Sequence, residues 1–146
     1  MVRYTDVFTQ LVRVEIELWN GLDAHLEATT GVSLATFQAM SAIRSSRGAA
    51  RVQDISAELA ITVGATSKLV DRLERDGLAT RSAHPNDRRS SIVALSDRGA
   101  TALAAADGAA EAHLRAVLGN ALADDRAEDL LAELTALRAG ARELSA

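Results

Sequence analysis

The chain has 146 residues, a length suited to one domain, and its 48% apolar content is enough to bury a core. It contains no cysteine, which excludes disulfides, thiolate zinc sites and thiol-based redox sensing by this chain. The formal net charge of −4 argues at first against nucleic acid, yet from Arg44 to Arg98 ten Lys/Arg outnumber seven Asp/Glu, so the middle carries +3 and the remainder −7. Local charge is what attracts phosphate.

Aromatics make up only 3%, alanine is plentiful and the one proline is Pro85, so long helices can run uninterrupted. The start, MVRYTDVFTQ, lacks a basic region followed by an apolar run, and no apolar stretch reaches the roughly 20 residues that span a bilayer. A cytoplasmic location without membrane contact is therefore expected.

The first helix is expected from about Asp6 to Ala28, with Phe8, Leu11, Val12, Leu18, Trp19, Leu22 and Leu26 at helical spacing. Gly31 breaks it, and Ser33 can cap a second helix through Leu34, Phe37, Met40 and Ile43. A short helix follows around Val52 to Leu59. Ala60 and Ile61 form a tight turn, and Thr62 caps the next helix, which should end at Gly77. Two strands, Leu78 to Ser82 and Ser91 to Leu95, flank a loop built on Pro85, Asn86 and Asp87. Ser96 then caps an alanine-rich helix to about Leu118.

The last helix starts near Asp124. Its Leu130, Leu134, Leu137, Ala141 and Leu144 alternate at four and three residues, a heptad seam. Packing within one domain and dimerisation both account for such a seam. The second is favoured because both terminal helices carry apolar stripes that a small middle could hardly cover.

The segment ISAELAITVGATSKLVDRL reads as a helix-turn-helix. In its second helix, Ala65, Leu69, Val70 and Leu73 share an inward side, with Thr66 nearer to it. Gly64, Ser67, Lys68, Asp71 and Arg75 share the outward side. Small residues followed by a cation suit a helix whose first turn approaches base edges. Gly64 permits close approach, Ser67 and Lys68 offer donors, and Arg72 at the margin can hold the phosphate backbone. An ordinary amphipathic surface helix also fits these residues. The hairpin adds weight, because a helix-turn-helix followed by a two-stranded hairpin with an arginine tip is a winged helix. Arg88 and Arg89 at that tip suit a minor groove. Asp87 beside them is expected to pair with an arginine and set its direction. The fold class is therefore mainly α with a small β-hairpin wing.

Through LVDRLERDGLATR and HPNDRRSSIVALSDRG the chain resembles the MarR family of bacterial transcription regulators. The resemblance implies residues 1–32 and 97–146 as a helical dimerisation region and 33–96 as a winged helix-turn-helix, in one compact chain. It implies a homodimer that binds palindromic operators in double-stranded DNA, usually as a repressor relieved by a small ligand. Carried over by position, Asp87 and Arg89 match a D-x-R wing tip, with Arg88 helping on phosphate. Thr62, Ser67 and Lys68 match polar DNA-facing positions. With Gly64, Thr66, Arg72 and Asn86, these are the candidate DNA-binding residues. Many relatives have serine or threonine where Gly64 and Ala65 stand, and arginine where Lys68 stands, which suggests thinner base readout here and more shape readout.

The resemblance also implies a pocket between the dimerisation helices and the winged helix, with Arg13, Trp19, His25 and Phe37 as candidate lining residues. The plainer readings are that Trp19 and Phe37 lie in the core, that Arg13 is solvated, and that His25 is a surface or satisfied helix histidine. No cofactor is expected, and His25, His84 and His113 lack metal-ligand spacing. No nucleophile elbow, P-loop, dinucleotide turn or H-E-x-x-H motif points to an enzyme. A winged helix used for protein contacts, and a DNA-binding protein with no ligand response, are the alternatives.

Overall fold

Among the described residues six helices and one hairpin follow one another as α1 (Tyr4–Thr30), α2 (Leu34–Ser45), α3 (Val52–Leu59), α4 (Val63–Arg75), β1 (Ala79–His84), β2 (Asp87–Leu95), α5 (Asp97–Leu118) and α6 (Asp124–Leu144). They are seen in a computed structural model that describes residues 1–145. The chain forms two compact units, Met1–Ala110 and Glu111–Ala146.

In the first unit, α1 stops where Gly31 adopts the left-handed conformation (φ 71°) and its N–H bonds to the Glu27 carbonyl. Ser33 then caps α2, accepting from the Thr36 N–H at 3.2 Å. The carboxylate of Asp23 accepts from the Leu34 N–H at 2.7 Å and so ties α1 to the start of α2. The core gathers Met40 and Ile43 of α2, Ile55 of α3, Val70 and Leu73 of α4, Val93 of β2 and Leu103 of α5. Each contributes about 1.5–3 kcal/mol by leaving water, as fully buried side chains do.

The tight turn between α3 and α4 falls at Ala60, which is left-handed (φ 54°) although it is not glycine. That conformation costs an L-residue about 1 kcal/mol. It is held by the Ser56 hydroxyl, which donates to the Ile61 carbonyl at 2.6 Å. Thr62 then caps α4, accepting from the Ala65 N–H at 3.1 Å.

At its far end α4 closes through Gly77 (φ 72°), with the Leu78 N–H bonded back to Leu73 at 2.8 Å. The strands pair antiparallel from Ala79↔Leu95 to Ala83↔Ser91. Both run further toward the tip than the expected spans of Leu78 to Ser82 and Ser91 to Leu95, while β1 begins one residue later, at Ala79. Apart from Ala83 the added residues are polar and carry no alternation of apolar side chains, so a period-two pattern cannot reveal them. Ala50 also bridges to Val93, whose N–H donates to the Ala50 carbonyl at 2.7 Å. The base of the wing is thus bonded on both sides of β2.

Ser96 joins the wing to α5. Its hydroxyl donates to the Gly77 carbonyl at 2.6 Å and accepts from the Gly99 N–H at 3.0 Å. Further along α5, Gly108 is exposed, and a Cβ there would meet nothing within 4 Å. Gly108→Ala should therefore stabilise the protein by about 0.5–1 kcal/mol through helix propensity alone. A thermal melt followed by circular dichroism should show the midpoint rising by about 2–4 °C. An unchanged or lowered midpoint would mean that this surface of α5 is covered in solution.

Candidate nucleic-acid interface

Helix α4 buries Thr66, Leu69, Val70 and Leu73. The sequence reading put Ala65 on this inward side, but Ala65 is exposed and Thr66 takes its place. Thr66 is 0% exposed, and its hydroxyl donates to the Thr62 carbonyl at 2.9 Å. It therefore packs the helix inward and has no surface to present to DNA. The expectation that Thr66 touches DNA is corrected by one step of the helix: a residue four after the cap returns its hydroxyl to the cap's carbonyl.

Thr62, Gly64, Lys68 and Arg72 are exposed, and Ser67 is half-buried. A Cβ on Gly64 would find open space, so nothing within the chain requires glycine there. The first turn of α4 is therefore open at this position.

The wing tip departs from regular pairing. His84 pairs with Asp87 while Ala83 pairs with Ser91, so Arg88, Arg89 and Ser90 face no residue of β1. Three residues are pushed out of the ladder, which is how a bulge re-aims side chains. Arg88 and Arg89 are exposed as a result. Asp87 meets Arg89 by a different bond from the one expected, through the backbone and not through the guanidinium. Its Oδ1 accepts from the backbone N–H of Arg89 at 2.9 Å and so fixes the backbone at the tip.

The two elements face a shared groove of about 510 Å³, whose walls include Arg51, Val63, Ser67, Arg81, Asp87 and Arg89. Three arginines and one carboxylate, Asp87, thus line one groove. Arg51 and Arg81 were not among the sequence candidates. Arg51 stands just before α3, far from the wing in sequence, and the Ala50–Val93 bridge that brings it there leaves no local signal. Its Nη2 lies 2.6 Å from His84 Nε2. Guanidinium has no acceptor, so Arg51 donates and Nε2 accepts. The Asn86 N–H also points at His84, 3.1 Å from Nδ1. A neutral imidazole accepts at one nitrogen, so the shorter, charge-assisted contact with Arg51 takes precedence. Arg51 thereby ties the approach to α3 to the outer end of β1.

The candidate ligand residues are not part of this groove. Arg13, Trp19 and His25 lie on α1, with Arg13 and His25 about 18 Å apart along the axis at the helical rise. Trp19 is 36% exposed, which corrects its reading as a core residue. Phe37 is half-buried and packs against the core. His25 is half-buried and Arg13 is exposed. Among the described residues no cluster of His, Asp or Glu could hold a metal ion, and no helix is long and apolar enough to cross a membrane.

Two helices joined by a tight turn, followed directly by a bonded hairpin with an out-turned basic tip, define a winged helix-turn-helix protein. A model of the MarR family matches residues 30–90, which run from the end of α1 into β2. Over those residues the winged helix-turn-helix is similar to the MarR family.

The fold is shared with solved structures across nearly the whole chain. A MarR-family transcriptional regulator from Rhodococcus sp. RHA1 superposes with a TM-score of 0.84 at 18% identity, over 94% of this chain and 95% of that one. Sco3205, a MarR-family regulator from Streptomyces coelicolor solved in complex with DNA, gives 0.83 at 20% identity, over 93% and 89%. CouR from Rhodococcus jostii RHA1, solved bound to p-coumaroyl-CoA, gives 0.80 at 20% identity, over 90% and 91%. No curated protein matches the sequence.

Proposed function

We propose that the chain is a sequence-specific DNA-binding transcriptional regulator, with α4 in a major groove and the wing in the neighbouring minor groove. The observation that carries this reading is the groove that Ser67 of α4 and Arg89 of the wing both line. Phosphates of the backbone run between those two elements when a helix and a hairpin straddle adjacent grooves. Thr62, Gly64, Ser67, Lys68 and Arg72 serve on the helix, and Asn86, Asp87, Arg88 and Arg89 on the wing. The DNA complex of Sco3205, with the same fold, supports this assignment.

The finer reading is a homodimeric repressor on palindromic operators. Residues 33–96 read DNA, and residues 1–32 and 97–146 supply the helices that pair with a second copy. On α1, Phe8 is 68% exposed, with Leu11 and Ile16 also in solvent. On α6 no residue is buried, and Leu130, Leu134 and Leu137 are all exposed. Apolar stripes of this extent are unusual on a free surface and call for a covering partner. A small effector that binds the non-DNA conformation better would release the operator. The complex of CouR with p-coumaroyl-CoA supports an effector of aromatic character.

The test is fluorescence anisotropy of the pure protein with the duplex upstream of its own coding sequence and with a scrambled duplex, across salt. We expect tighter binding to the native duplex by at least about a thousandfold, with affinity falling steeply as salt rises. Equal and weak binding to both, repeated over the neighbouring upstream regions, would remove specific DNA reading from this chain.

A further inference from the structure

Two carboxylates sit where a DNA-facing helix should not want them. Asp71 and Glu74 lie three residues apart in the second half of α4, on one face. There they oppose the negative end of the helix dipole and, on the functional reading above, stand near phosphates. Both meet one residue of the wing. Arg81 Nη2 is 2.5 Å from Asp71 Oδ1, and Arg81 Nε is 3.3 Å from Glu74 Oε2. Nε is shut off from solvent and makes no hydrogen bond, so the Glu74 charge is what answers it. The Arg81 side chain is 27% exposed, and its cross-strand neighbour is the fully buried Val93.

We propose that Arg81 is a positioning residue that fixes the wing at one angle to α4, and that Asp71 and Glu74 are present to grip it rather than to touch DNA. The proposal rests on the reading of this surface as a DNA interface. The covalent link between the two elements is only Asp76, Gly77 and Leu78, at the base of the wing. From that base β1 extends six residues, about 20 Å at the strand rise. A tilt of about 15° at the base would carry the tip roughly 5 Å, the width of a strand spacing. Arg81 lies halfway along this lever. Its planar fork engages two carboxylates in set directions, which the point charge of a lysine cannot do. Arg81 also walls the groove that Ser67 and Arg89 share, so the bridge sets the gap into which the nucleic acid must fit. Exposed ion pairs contribute little stability, and the role of this one is angular.

Charge alone and positioning predict opposite signs. Asp71→Asn removes a negative charge beside phosphates, which by simple electrostatics tightens binding. Positioning predicts the reverse, a loss of about tenfold in affinity for the native duplex, within the usual coupling of neighbouring groups. Arg81→Lys keeps the net charge and should lose about as much. Both variants should melt within a few degrees of the parent. Arg89→Ala should then weaken binding far less in the Arg81→Lys background than in the parent, because the mispositioned tip no longer contributes. An Asp71→Asn protein that binds as tightly as the parent or tighter, or an Arg89→Ala loss of equal size in both backgrounds, would overturn the proposal while leaving DNA binding intact. A parent protein that does not distinguish native from scrambled duplex would overturn the functional reading, and this one with it.

Discussion

Replacing Arg89 with alanine should weaken binding to the native duplex by roughly tenfold to a hundredfold for each wing engaged, with the elution volume of the free protein unchanged. The expectation follows from how the tip is built. Arg89 lies in a three-residue excursion of β2 that has no partner on β1, and its backbone N–H is held by Asp87 Oδ1 at 2.9 Å. Its guanidinium contributes nothing to the core, so truncation removes a contact without disturbing the fold. A narrow minor groove concentrates negative potential, and an exposed arginine on a backbone that is already held enters it with little reorganisation. Arg88→Ala should weaken binding less, because Arg88 is not the residue whose backbone Asp87 holds. The pair of variants thus separates aimed charge from mere charge, since each removes one positive charge from the same tip. Anisotropy titrations at two salt concentrations are sufficient. Equal losses for Arg88→Ala and Arg89→Ala would mean that the tip acts as a diffuse positive patch. No loss for Arg89→Ala would remove the wing from the interface.

Much of this arrangement was legible in the chain itself. The caps at Ser33 and Thr62, the stops at Gly31 and Gly77 and the proline at the wing turn are local signals, and each stands where its chemistry places it. The tip residues could be recognised because a turn concentrates its message in adjacent positions. Residues joined only by tertiary contact could not. Arg51 reaches His84 across 33 positions, through a bridge at Ala50 that is a single residue long. Arg81 reads as a polar residue of a short strand until α4 is laid against it. Thr66 and Ala65 exchanged roles because helix periodicity places a residue to within about one position of a face, and the hydroxyl bond from Thr66 to Thr62 decides the matter. Trp19 was misjudged for another reason. Aromatic bulk signals burial but does not say against what, and on α1 the stripe that holds Trp19 lies open in the single chain.

Gly99→Ala should be the most damaging single-methyl change in the protein. A Cβ at Gly99 would fall 1.9 Å from the Leu78 carbonyl oxygen and 2.9 Å from its carbon. Both are backbone atoms, which cannot rotate away as the end of a side chain would. Leu78 is pinned from two directions, since its N–H donates to Leu73 at 2.8 Å and its carbonyl accepts from Ser96 at 3.1 Å. Gly99 is pinned as well, through its N–H on the Ser96 hydroxyl, which also holds the Gly77 carbonyl. To restore an ordinary contact, the first turn of α5 must move out by about 1.5 Å, and at least one of the Ser96 bonds must break. Overpacking of this kind costs about 3 kcal/mol, a large share of the stability of a domain of this size. The melting midpoint should fall by about 10 °C, against the rise expected for Gly108→Ala in the same helix. Both changes replace a glycine of α5 by the better helix former, and the decisive difference is the backbone of Leu78 beside Gly99. The damage should extend to function. Ser96 anchors the base of the hairpin, so a protein still folded at low temperature should hold its wing loosely and bind the native duplex less well than Gly108→Ala does. A Gly99→Ala midpoint within about 2 °C of the parent, well inside the shift that 1 kcal/mol produces, would show that α5 and Leu78 do not approach this closely in solution.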